Sequence, residues 1–166
     1  MFEIRKANTS DALGISIVNV YTWKLTYAGL IPDEVIDKRI KELKFLAEKK
    51  RKTMEIDNDF IVATVDNTIV GFCSYGKSRN ELFNKSGEIK ALYVLHGFQG
   101  NGIGKELFLS AINILKNKGF SSVIINCLRG NSSIKFYEYM GAKVVSEQKD
   151  EIYGEVIIED ILYLDW

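Results

Sequence analysis

Gly100, Gly102 and Gly104 fall at every second position, just after an apolar run and just before an amphipathic one. Glycine leaves the main chain bare, and the first turn of a helix offers N–H groups without partners plus a partial positive charge. This layout therefore suits a bound phosphate or pyrophosphate. Gln99 opens the loop and Lys105 closes it with a cation.

Spacing narrows the phosphate ligand. A P-loop needs an earlier glycine at fixed distance from its Gly-Lys pair and a hydroxyl after it, and Gln99 and Glu106 stand in those places. The dinucleotide fingerprint GxGxxG also fails. Gly100 and Gly102 fit its first two glycines, but Lys105 occupies the third position, and no βαβ unit with an acidic ribose ligand follows. QGNGIG, Gln99 to Gly104, remains as a loop of another kind.

The elements that must position these residues follow from hydrophobic period and punctuation. Phe2 to Lys6 alternates as a first strand, and Thr9, Ser10 and Asp11 supply the cap and acidic first turn of a helix running to about Leu25. After Gly29 and Pro32, residues 33–54 form one charged helical stretch with Val35, Ile36, Ile40, Leu43, Leu46 and Ala47 as its apolar face. Phe60 to Val65 and Ile69 to Tyr75 pair as a hairpin across Asp66-Asn67-Thr68. Lys77 to Gly87 is a polar loop leading to a buried strand, Glu88 to Val94. Ile103, Leu107, Phe108, Ala111, Ile112 and Leu115 mark a helix from Gly102 to Lys118, which Gly119 ends. Val123 to Leu128 is then a strand parallel to the Glu88 strand, because a helix crosses between them. A short helix, Asn131 to Met140, stops at Gly141, and Ala142 to Ser146 and Glu155 to Leu164 form two last strands around a polar loop, Gln148 to Gly154.

The order Gln-x-x-Gly-x-Gly after a strand ending in Tyr93-Val94 resembles the acetyl-coenzyme A loop of the GNAT superfamily of N-acetyltransferases. Asn131, then Phe136-Tyr137, then Gly141-Ala142 is similar to that family's Asn, Phe-Tyr, Gly-Phe signature, with Ala142 where an aromatic is usual. Trp23, Tyr27 and Gly29-Leu-Ile-Pro32 resemble the first-helix region of small bacterial members. The resemblance implies a single domain over 1–166 with an α/β fold of the acyl-CoA N-acyltransferase type. Its mixed, twisted sheet of six to seven strands is flanked by helices, and its two central parallel strands splay apart. It further implies an enzyme that moves acetyl from acetyl-CoA to a primary amine by direct attack in a ternary complex.

Such a transfer needs a neutral amine, a seat for the tetrahedral oxyanion and a proton for the departing thiolate. A free alkyl amine has a pKa of about 10.4, so about one molecule in 10³ is neutral at pH 7 and a base is required. By resemblance Glu88 is that base, working through water, against the plainer alternative of a solvent-facing carboxylate at a strand end. Leu92, Tyr93 and Val94 match the strand that pairs with the pantetheine arm, and the N–H of Val94 or Leu95 points at the thioester oxygen. Gln99, Gly100, Asn101, Gly102, Ile103, Gly104 and Lys105 hold the pyrophosphate. Asn131 and Ser133 contact the cofactor, Phe136 packs under it, and Tyr137 both touches it and protonates the thiolate. Trp23, Tyr27 and Tyr75 border the acceptor, with plain packing as the alternative for the aromatic pair on the first helix. His96 stands where many family loops carry proline and is a turn residue.

Composition bounds the rest. At 166 residues with 46% apolar and 27% charged, the chain can bury roughly 70% of its unfolded surface without staples. Lysine plus arginine equals aspartate plus glutamate at 22 each, so no net charge draws it to nucleic acid or membrane, and a cytoplasmic protein is expected. Cys73 and Cys127 lie in apolar runs as buried thiols, and no metal is expected. The basic stretch 38–52 and the acidic tail from Glu147 to Asp165 are solvated surface, unless the tail lies near the acceptor and favours a cationic amine. The acceptor itself, a small polyamine-like or antibiotic-like amine or a protein amine, is not legible. Loss of catalysis would leave an acyl-CoA-binding module, and an exposed strand edge favours a homodimer.

Overall fold

The computed structural model describes residues Met1–Trp166. Seven strands, β1 (Glu3–Lys6), β2 (Phe60–Val65), β3 (Thr68–Lys77), β4 (Gly87–Val94), β5 (Ser122–Leu128), β6 (Lys143–Ile152) and β7 (Glu155–Asp165), form one sheet in the order β1-β2-β3-β4-β5-β7-β6. Five helices accompany them: α1 (Ala12–Thr26), α2 (Asp33–Lys41), α3 (Leu43–Ile56), α4 (Ile103–Asn117) and α5 (Ile134–Tyr139). β4 and β5 run parallel while β1-β2, β2-β3, β5-β7 and β6-β7 are antiparallel, so the fold is the expected mixed α/β type. No helix is long and apolar enough to cross a membrane. The chain divides into two compact units, Met1–Ser74 with Ala91–Ala111, and Tyr75–Lys90 with Ile112–Trp166.

In the first unit, α1 packs on α2 and α3, and Ile15 and Val18 of α1, Met54 of α3, Phe60 and Val62 of β2 and Phe72 of β3 share one core. The cap of this helical segment is Asn8, one residue before the expected group: its side chain accepts from the Ser10 amide at 3.0 Å while Asp11 accepts from the Asn8 amide at 2.8 Å. Arg5 donates to both oxygens of Asp11, at 2.7 and 2.9 Å, and this holds the Asp11 carboxyl below its ordinary range. Asp11→Ala is therefore expected to cost about 1–2 kcal/mol of stability at neutral pH in a denaturant melt. The folded pKa is depressed, so that contribution is present above the unfolded value of about 4 and fades as pH falls through the folded one.

Residues 33–54, expected as one helix, are two, broken at Glu42. At 1.5 Å per residue a straight helix of that length would run about 33 Å or more, against about 22 Å for α1. The break lets both α2 and α3 lie on α1. The β2-β3 hairpin turns on Asp66 and Asn67, both with positive φ (47° and 63°), which is the turn type that Asp and Asn tolerate best after glycine.

In the second unit, β5 pairs with β7 along its whole length, and β7 pairs with β6 from Glu155 to Tyr163. The polar loop expected over Gln148 to Gly154 is instead mostly strand. β6 continues to Ile152 and only Tyr153 and Gly154, with φ of 51° and 88°, make the turn. A hairpin wet on both faces shows little apolar alternation, which is why its sequence looks like a loop.

Candidate active site

The end of β4, Ala91 to Val94, belongs to the first unit. Leu95, just past its end, donates its N–H to the Val70 carbonyl at 2.8 Å. Successive N–H groups of an extended strand point to opposite sides, so Val94 directs its N–H away from β3. Of the two amides singled out in the sequence, that of Leu95 is thus committed to β3. Ala91, Leu92 and Tyr93 are half-buried and Lys90 is exposed, a wetter strand than its apolar sequence predicts.

After a short 3-10 turn, His96–Phe98, the chain enters the glycine loop, and the Gln99 side-chain amide donates back to the Val94 carbonyl at 2.9 Å. Gln99, Gly100, Asn101 and Gly102 are exposed, and α4 begins at once with the buried Ile103. Gly100 and Gly102 have φ of 78° and 83°, and a Cβ on either would meet no atom within 4 Å. Backbone conformation, not crowding, calls for glycine there. The result is an exposed, side-chain-free loop at the N-terminus of a 15-residue helix, whose first amides, those of Ile103, Gly104 and Lys105, have no partner within the helix. The residues thus fit a pyrophosphate.

Trp23 and Tyr27 are both buried and both reach Tyr93: the Trp23 indole N–H donates to the Tyr93 hydroxyl at 3.1 Å, and the Tyr27 hydroxyl lies 3.1 Å from the same oxygen. Arg39, absent from the sequence reading, stacks over the Trp23 ring at 4.1 Å. It comes from the basic stretch 38–52, where a row of lysines and arginines conceals which one turns inward.

In the second unit Glu88 is 1% exposed, which removes the alternative of a solvent-facing carboxylate. The Arg79 amide donates to Glu88 Oε2 at 2.9 Å, and the Arg79 guanidinium Nε and Nη2 donate to the same carboxylate. Arg79 lies in the polar segment before β4, and nothing local in the sequence marked it. Glu159 stands close enough for its charge to be felt by this pair. Burial pushes its carboxyl above the ordinary range, Asp150 and Glu88 add to that, and the Gln148 amide, donating at 2.8 Å, and Arg79 oppose it. Part of the acidic tail is therefore half-buried beside Glu88 rather than solvated surface.

Tyr137 is 5% exposed on α5, its ring edge-on to Phe136 at 5.1 Å. Asn131 is buried and its side-chain oxygen accepts from the Ser133 amide at 2.9 Å, which shapes the turn into α5. Tyr75 is fully buried, with the Lys118 ammonium 5.5 Å from its ring, a core position and not a surface one. The parallel ladder covers only Gly87–Ile89 of β4 against Val123–Ile125 of β5, three residues of an eight-residue strand. Cys73 and Cys127 are buried thiols, and burial raises both, Cys127 to about 12.

A model of the acetyltransferase (GNAT) family matches residues 26–142. Over 155 residues the chain is 31% identical to an uncharacterized N-acetyltransferase of Bacillus subtilis, YuaI, covering 93% of this chain and 87% of that protein. It is 33% identical over 147 residues to a spermidine N(1)-acetyltransferase of Thermoplasma acidophilum, covering 86% and 88%. Among solved structures, the PaiA N-acetyltransferase of Thermoplasma acidophilum in complex with coenzyme A superposes with a TM-score of 0.80 at 26% identity, covering 100% and 99%.

Proposed function

Since the chain belongs to the acetyltransferase (GNAT) family, we propose that residues 1–166 work as one N-acetyltransferase domain in which an amine attacks the donor thioester directly, in a ternary complex. The enzyme is an N-acetyltransferase with acetyl-CoA as acyl donor. The observation that carries this is the bare glycine loop, Gln99 to Gly104, exposed at the N-terminus of α4. Its amides and Lys105 hold the donor pyrophosphate, and Leu92, Tyr93 and Val94 pair with the amide-rich arm. Asn131 and Ser133 contact the donor, with Phe136 packed beneath it.

The chemistry divides among three groups. Glu88 takes the amine proton through a water molecule, and the Arg79 clamp holds the carboxylate in position. The Val94 N–H stabilises the charge that develops on the thioester oxygen as the amine nitrogen bonds to the carbonyl carbon. The carbon–sulfur bond then breaks, and the Tyr137 hydroxyl gives its proton to the leaving thiolate. The acceptor is a primary amine, and polyamine-like and antibiotic-like molecules, amino acids and protein amines are the classes to compare. Trp23 and Tyr27 act on it through Tyr93, and Tyr75 is the third residue of this reading.

Thiol release from acetyl-CoA across a panel of amines, spermidine included, beside calorimetric binding of acetyl-CoA alone, tests this. Turnover establishes the enzyme. Binding without turnover leaves an acyl-CoA-binding module, and no binding overturns the assignment. Gly102→Ala is expected to weaken acetyl-CoA binding about tenfold in the same calorimeter, because a side chain at positive φ costs about 1–2 kcal/mol and the loop can relax away from its binding shape. An unchanged affinity would remove the loop from the donor site. A cytoplasmic homodimer belongs to the same proposal, supported by the free thiols Cys73 and Cys127 and by exposed Val144 and Val145 on the terminal strand β6. Sedimentation equilibrium decides the dimer.

A further inference from the structure

A charge drawn onto a packed face normally brings a counter-charge with it, because an ion loses hydration there. Arg39 on α2 and Lys50 on α3, both in the first unit, depart from that. The Arg39 guanidinium stacks on Trp23 at 4.1 Å and donates to the Asn19 side-chain oxygen at 2.6 Å, while its Nε is buried and meets no acceptor. Lys50 holds its ammonium over the rings of Phe60 and Phe72, at 5.1 and 5.6 Å. Neither cation pairs with a carboxylate. Burial, and then the charge of Arg39, push the Lys50 ammonium down to about 8, so the two cations oppose each other.

Aromatic faces soften the cost of a desolvated cation but do not neutralise it. Two like charges within reach of each other, one with an unused buried N–H, form the outline of a site for an anion. Its floor is continuous with the acceptor wall: the Phe72 ring lies 5.7 Å from that of Tyr93, whose hydroxyl receives the Trp23 N–H. Arginine's planar fork suits a planar anion, and lysine adds a point charge. We infer that Arg39 and Lys50 form a carboxylate subsite for the acceptor, so that the preferred substrate is a primary amine bearing a carboxylate, such as an amino acid, and not a polyamine. This rests on the acetyltransferase reading above. A polycation would meet two uncompensated positive charges on this face, whereas a carboxylate supplies the missing partner to both.

The test compares amines that differ only in the carboxyl group, phenylalanine against phenethylamine and lysine against cadaverine, at saturating acetyl-CoA. The carboxylate member of at least one pair is expected to have the higher kcat/KM by about tenfold or more, the usual scale of a charge-assisted contact. Arg39→Gln and Lys50→Met should each cut that ratio about tenfold, mainly through KM, with part of it restored in Arg39→Lys. Equal rates within each pair, or faster cadaverine and spermidine, overturn the subsite while leaving the enzyme assignment intact. If no amine turns over, calorimetry with N-acetylphenylalanine and N-acetylphenethylamine decides separately. Carboxylate-dependent binding that Arg39→Gln abolishes keeps the subsite, and its absence removes it. Loss of acetyl-CoA affinity in Arg39→Gln with an unchanged acceptor ratio would assign the anion to a donor phosphate instead, against the proposal.

Discussion

Tyr137→Phe should lower kcat by about 10²-fold while changing acetyl-CoA affinity by less than about threefold. Phenylalanine keeps the ring, and with it the edge-on contact to Phe136 at 5.1 Å and the burial of this side chain. What disappears is the hydroxyl proton that the proposed mechanism gives to the thiolate. General acids are worth about 10²–10⁴ in rate, and the lower end applies here because a thiol of pKa about 8.5 already leaves tolerably as an anion. The loss should therefore deepen with donors whose thiols are less acidic and shrink with those more acidic. Single-turnover kinetics beside calorimetry separates the alternatives. Equal losses in binding and turnover would make Tyr137 a packing residue of α5 and move the proton source elsewhere.

The parts of this site that were legible in the sequence are those specified by neighbouring residues. Alternating apolar residues and flanking glycines located β2, β4 and β5 to within a residue or two, and the 3.6-residue period located α4. Gly100 and Gly102 were recognisable because a positive φ is a local demand. The Asp66-Asn67 turn was recognisable for the same reason. The parts that were not legible depend on which side chains meet across distance. Arg79 is nine positions from Glu88, in a segment without periodicity, yet it supplies the charge that lets a carboxylate sit 1% exposed. Arg39 and Lys50 belong to a run of cations whose composition says solvent, and only the packing of α2 and α3 turns these two onto aromatic rings. The commitment of the Leu95 amide to the Val70 carbonyl is a matter of strand pairing, which no local pattern in the sequence announces.

Glu88→Gln is the complementary experiment, and its signature is in pH rather than in a single rate. At pH 7 the variant should be slower by about 10²–10³, because an amine of pKa about 10.4 is neutral in only about one molecule in 10³ and the glutamine cannot collect a proton from the rest. Raising the pH supplies neutral amine from solution, so the variant should gain about tenfold per unit and its optimum should move to higher pH. The gap to the native enzyme then narrows. A parallel pH profile for the two proteins would mean that Glu88 serves only to anchor Arg79. The Arg79→Leu variant distinguishes anchoring from basicity on the other side. It strands a carboxylate that is 1% exposed, and removing the partner of a buried charge costs about 3–5 kcal/mol. The Arg79 side chain is itself 67% exposed, which reduces the expected cost to about 1–3 kcal/mol through solvent screening. If Glu88 is the base, the same substitution must also lower turnover, since the carboxylate loses the guanidinium that aims it. Lost stability with unaltered turnover would leave the ion pair structural and turn the search for the base to Glu159, the neighbouring carboxylate that burial raises above its ordinary range.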